Sequence, residues 1–182
     1  MHKTNPFGTK TTPLALASLL ATLVLMAPAA FAIPPEDTTR DGGLHFVGDP
    51  DLTINKEFDE DDRVVSASLT AEGEVAGAGN TATATLSSTV EVEQGCITRG
   101  GGEPSGLEET TVDVTGSDEF NTRQGRGEFT VTTEEIEPGA GGFECPSRQQ
   151  TEVIIDVTFT EITLTVESQT GTITATFADQ DP

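Results

Sequence analysis

The chain has 182 residues, with 31 acidic side chains against nine Lys and Arg, for a formal charge of −22. Such a field repels nucleic acid and anionic membrane surfaces, which removes both from the candidate partners. Phe is the only aromatic residue, with no Trp or Tyr, so a sugar-binding platform of stacked rings is not expected either.

Residues 1–32 read as a cleavable export signal. His2, Lys3 and Lys10 charge the first ten residues, an apolar run extends from Leu14 to Met26, and Ala30-Phe31-Ala32 has the small-x-small pattern of a signal peptidase site. The apolar run is shorter than the ~20 residues that span a bilayer, so no transmembrane segment is expected after cleavage. Cleavage would remove Lys3 and Lys10, leaving seven basic against 31 acidic groups, a net −24. The expected location is the extracellular medium or the cell envelope. Residues 33–43, rich in Pro, Thr and acid, read as a flexible leader, and 44–182 as a single domain.

Within that domain the signal is period-2 alternation, the mark of half-buried strands. Leu44–Val47 is the first candidate strand, and Asp49–Arg63 reads as acidic and irregular. Val65, Ala67, Leu69, Ala71, Gly73 and Val75 share one face of the next run. The segment 76–80, Ala-Gly-Ala-Gly-Asn, then suggests a tight connection into 81–94, where Ala82, Ala84, Leu86, Val90 and Val92 alternate with Thr, Ser and Glu. The two runs read together as a hairpin. Shorter strands are expected at 110–115, with Val112 and Val114 inward, and at 128–133, with Phe129 and Val131 inward.

In the C-terminal third, Val153, Ile155, Val157 and Phe159 share one parity and Ile162, Leu164 and Val166 the other. One strand over 151–168 would approach 60 Å at ~3.3 Å per residue, so the flip near Thr160 and Glu161 predicts a bulge, a tight turn or a crossing between sheets. Thr172–Phe177 completes the pattern. About seven to nine antiparallel strands predict an all-β fold, an antiparallel β-sandwich of immunoglobulin-like layout, with a closed barrel as the alternative.

Cys96 and Cys145 are the only cysteines, and in an exported chain such a pair bonds. Counting strands up and down places both at one pole, and a bridge closing a loop of this length stabilises by roughly 4 kcal/mol in the chain-entropy description. The flanking glycine-rich loops carry Arg99 and Arg148 to the same pole, where they form a candidate partner-binding loop. Neither loop has the Gly-Lys-Ser/Thr of a phosphate cradle.

Asp49, Asp51, Asp59, Glu60, Asp61 and Asp62 form the densest acidic tract and the candidate cation site, since Ca²⁺ takes six to eight oxygen ligands. The tract lacks the ligand order of an EF-hand loop, and in so acidic a chain a solvated face is the simpler reading. For catalysis the inventory is poor. His45 is the only histidine after the signal, no Gly-x-Ser-x-Gly elbow is present, and alternation offers many carboxylates without singling out two. No catalytic residue is assigned.

His45-Phe46, the 76–80 segment, Gly100-Gly101-Gly102, Cys145-Pro146 and the Thr-rich alternating C-terminus together resemble a group of small secreted bacterial β-proteins of unknown function. Members often carry an aromatic shortly after the Cys-Pro, where this chain has Ser147, Arg148, Gln149 and Gln150. The resemblance implies export, a β fold and a disulfide, and no activity. The sequence thus predicts a secreted, acidic, non-catalytic protein that acts by surface contact with a protein or surface partner, as an adhesion, envelope or matrix component, with Ca²⁺ as the candidate cation. A secreted hydrolase and a disulfide-pinned loop inhibitor or effector are the alternatives.

Overall fold

The computed structural model describes residues 32–180, so the export signal expected over 1–32 lies outside the described residues except for Ala32. Nine strands follow in order: β1 (Asp37–Thr38), β2 (His45–Phe46), β3 (Asp51–Phe58), β4 (Val64–Ala76), β5 (Thr81–Thr98), β6 (Ser105–Asn121), β7 (Arg126–Thr132), β8 (Gln150–Ser168) and β9 (Gly171–Thr176). Among the described residues the only helical element is the single 3₁₀ turn Ala140–Gly142.

All pairing is antiparallel, and β5 is its axis, with β6 along one edge and β8 along the other. On its far edge β8 takes β9 over its C-terminal half and touches β4 at Ile154 and Val64 near its start. β4 carries β2 and β3 on one edge and β7 on the other. Where β7 ends the sheet comes back on itself, and the Glu134 N–H donates to the Thr115 carbonyl of β6 at 3.1 Å. Gly116 permits that approach, because a Cβ there would overlap the Thr132 carbonyl. The product is one large antiparallel sheet curled nearly into a barrel. Its interior is filled by Leu52, Leu69, Leu86, Phe159, Ile162, Leu164 and Ile173, all at most 1% exposed.

Several expectations are corrected. β4 and β5 share no ladder, so the hairpin read across 76–80 does not form. The apolar faces of both runs need the interior, and the link crosses between facing parts of the sheet instead. Ala78 is buried there, with its N–H on the Gly125 carbonyl, while the Asn80 carbonyl takes the Thr122 N–H. Gly77 sits at φ +83°, and a side chain at that position would run into the Gly43 carbonyl. The segment 51–58, expected to be irregular, is strand β3, because Leu52 and Ile54 are enough to seat it beside β4 despite the charges around them. Residues 33–41, expected within a flexible leader, are tied to the body by Ile33 on Leu52, β1 on β9, and Asp41 on Leu44.

The length objection to a single C-terminal strand also fails. β8 is one strand of 19 residues lying along the 18 of β5. Two bulges let it coil around the core rather than extend: Glu161 and Ile162 oppose Ser88 alone, and Ile155 is the extra residue between Asp156 on Glu93 and Ile154 on Gln94. A third bulge, where β3 meets the start of β4, makes Val65 the extra residue. Val65 and Ile155, expected inward, therefore turn out, at 36% and 39% exposed, while Val64 and Ile154 turn in.

Candidate functional site

Strand directions define two ends of the molecule. One end collects the β3–β4 turn, the β5–β6 turn and the start of β8; the other collects His45, the 76–80 link and the β6–β7 turn. The disulfide marks the first. Cys96, near the end of β5, bonds Cys145 in the segment leading to β8, with Cα atoms 5.8 Å apart.

That segment is latched as well as bridged. Gln94 is fully buried, and its amide donates to Thr110 Oγ1 at 2.9 Å and to the Ala140 carbonyl at 2.8 Å, while its oxygen accepts the Gly139 N–H at 2.7 Å. Glu152 Oε1 accepts the Cys145 N–H at 3.1 Å, and this bond is the main reason its carboxyl is held below the usual range. The Arg99 N–H reaches the Gln149 carbonyl at 3.3 Å. Arg99 and Arg148 are thus brought to one place, both exposed, as the strand count suggested. Gly101 and Gly102 adopt positive φ with open space around them, so they serve the turn.

The acidic tract is divided. Asp59, Glu60, Asp61 and Asp62 share the β3–β4 turn, whereas Asp49 and Asp51 lie at the far end of β3, about 25 Å away for eight extended residues. Asp59 is committed to the turn itself, accepting the Asp61 and Arg63 N–H groups at 2.8 and 2.9 Å. The bond from Arg63 is the leading cause that lowers its carboxyl below the ordinary value. The Arg63 guanidinium lies 3.1 Å from Asp61 and 4.0 Å from Asp59. Among the described residues no three His, Cys, Asp or Glu side chains are grouped to hold a metal ion. His45 lies at the opposite end, with Nδ1 2.9 Å from the Gly43 carbonyl, which makes that nitrogen the protonated one.

What the sequence reading missed is apolar. The large exposed hydrophobic side chains among the described residues are Phe58, Val65, Leu107 and Ile155, at 55%, 36%, 57% and 39%. All four stand at the disulfide end. Phe58, Pro104 and Ile155 line a shallow groove of about 410 Å³, with Lys56, Arg63 and Asp156 at its edges. Leu107 continues it: Gly95 of β5 offers a flat floor, against which both Pro104 and Leu107 lie so closely that a Cβ would come within 3.1 Å and 2.9 Å of them. Two sequence signals pointed here, since Val64-Val65 and Val153-Ile154-Ile155 cannot keep every apolar side chain on one face of a strand. Elsewhere the outer surface is wet. Mid-sheet, Ser117, Thr85, Thr165 and Thr174 form one lateral row and Thr115, Ser87, Thr163 and Thr176 the next.

No family model matches the chain, and neither a curated protein nor a solved structure gives a match. Among the described residues no helix is long and apolar enough to cross a membrane.

Proposed function

We propose that this chain is an exported, non-catalytic contact protein whose working surface is the disulfide end, presented by a sandwich-like, immunoglobulin-type scaffold after removal of residues 1–32. The observation that carries the reading is the gathering of Phe58, Val65, Leu107 and Ile155, the large exposed hydrophobic side chains among the described residues, on one latched end. Exposed apolar side chains scattered singly need no explanation, but a contiguous group rimmed by polar residues marks an interaction surface. A disulfide and a buried amide latch favour such a role, since a surface that is already ordered loses less entropy on binding. Arg99 and Arg148 flank this end and extend it to a loop-presenting inhibitor or effector within the same class.

The test is site-specific photo-crosslinking in the native extracellular fraction. A crosslinker at position 107 or 155 should give a discrete adduct, and one at Thr163, in the hydroxyl rows, should not. Adducts from Thr163 alone would overturn the reading. So would turnover of an ester, glycoside or peptide substrate that is lost in His45→Ala, which would move the function to the opposite end.

A further inference from the structure

Resting on the assignment of the disulfide end as the contact surface, we infer that its occupant is an extended cationic, amphipathic peptide segment of a partner protein. The groove supplies the apolar half of the match. Phe58 on β3, Val64 on β4, Ile155 on β8, Gly95 on β5 and Leu107 on β6 follow one another across the strands. Four inter-strand steps cover about 19 Å, the length of about six extended residues.

Charge supplies the other half. Glu109 of β6 stands opposite Glu93 of β5, and Glu93 stands opposite Asp156 of β8, which itself lines the groove. Three carboxylates therefore sit side by side on neighbouring strands, and directly opposed like charges destabilise a sheet. The described ion pairs, Arg63 with Asp59 and Asp61 and Arg126 with Glu74, do not reach this row. Arg63 is engaged by its own turn, so it offers an incoming carboxylate little. Lys or Arg side chains on the occupant would relieve the row while the apolar side chains between them fill the groove. The net charge of the chain draws the same class of partner from a distance. An acidic segment would be repelled by this row and by the net charge of the chain.

The probe is a synthetic octapeptide of alternating Leu and Lys, titrated by fluorescence anisotropy against the disulfide-bonded protein secreted by its own host. Octalysine and an alternating Leu and Glu octapeptide serve as controls. The Leu-Lys peptide should bind at least about tenfold more tightly than either control, and Phe58→Ser or Ile155→Thr should weaken it by about tenfold. Both side chains are exposed, so these variants should keep the parent melting temperature. Asp156→Asn should weaken binding and flatten its salt dependence, and Arg99→Glu should leave it equal or stronger.

Equal binding of octalysine would reduce the effect to surface charge and overturn the inference. Loss of peptide binding in Arg99→Glu, or tighter binding to zwitterionic lipid vesicles than to the peptide, would do the same. If crosslinked partners still map to positions 107 and 155 while the cationic peptide fails to bind, the occupant is wrong and the contact surface stands. Failure of the crosslinks themselves counts against the surface.

Discussion

Gln94 shows how much one polar side chain can hold. A buried amide is unfavourable unless its partners are supplied, and here Thr110, Gly139 and Ala140 supply them, joining β5 to β6 and to the 3₁₀ turn. Gln94→Leu keeps the volume but orphans the Gly139 N–H and leaves the Ala140 carbonyl only its longer bonds from Thr110 Oγ1 and the Phe143 N–H, and it should lower the unfolding free energy in urea by about 1–3 kcal/mol. A loss below about 0.5 kcal/mol would mean that the loop finds other partners. Glu152, half-buried, makes a smaller contribution that depends on pH. Its carboxyl is held below the ordinary value chiefly by the Cys145 N–H, so the charged form is the one favoured by folding. That contribution is present above the unfolded value and is lost as pH falls through the lower folded one. The protection factor of the Cys145 amide, its exchange rate relative to an unstructured amide at the same pH, should therefore fall on acidification below the usual carboxylate range, and in Glu152→Gln this step should vanish.

At the scale of elements, the bulges decide which residues face out. Glu161 lies at φ +51° in the bulge that reconciles the two parities of β8. The left-handed region costs a non-glycine residue about 1–2 kcal/mol, and the extra freedom of glycine in the unfolded chain costs about 0.5–1 kcal/mol, so Glu161→Gly should stabilise by about 0.5 kcal/mol. Gly77→Ala should do the reverse and severely, since the strain at φ +83° comes with overlap on the Gly43 backbone, which has no side chain to move aside. Thermal melts of the two variants should shift in opposite directions. The positions of β4, β5, β7, β8 and β9 were legible because each carries a run of apolar alternation, with β8 changing parity at its bulges. The strand β3 was not, because Leu52 and Ile54 are its main interior contributions amid acids, and β6 was read only over 110–115 because an edge strand has little apolar pattern to read. Partnership was the least legible property. Alternation says which face is buried but nothing about which strand lies alongside, and so the 76–80 link carries the residues of a hairpin turn without joining paired strands. The groove was hidden for a related reason, since Phe58, Ile155 and Leu107 are far apart in sequence and meet only through that partnership.

For the whole molecule, the two opposing quantities are a bridge and a charge. The disulfide spans a separation of 49 residues, and replacing Cys96 and Cys145 together by Ser should lower stability by about 4 kcal/mol in the chain-entropy description. The exchange protection of residues 134–149 should fall before that of the core strands, because the segment is then held only by hydrogen bonds such as those of Gln94 and Glu152. A melt in which the core is lost first would contradict the latch. The surplus of acids acts throughout the surface, so adding salt to a low-salt buffer should raise the melting temperature by a few degrees before levelling off, as expected for self-repulsion being screened. A melting temperature indifferent to salt would show that the acids are spaced widely enough not to repel.

The crossing of β4 away from β5 also sets a timetable. Two runs that follow each other in the chain end up on different parts of the curl, and the strand that covers the second edge of β5 is β8, some 70 residues further on at Thr89 and Thr160. A chain delivered N-terminus first therefore emerges with β5 able to pair only with β6. Its other edge waits, and Cys96 waits with it for Cys145. Closure belongs to the last third of synthesis, and a chain released before Gln150 would leave the 18 residues of β5 with one edge of unpaired backbone N–H and C=O groups for another copy to pair with.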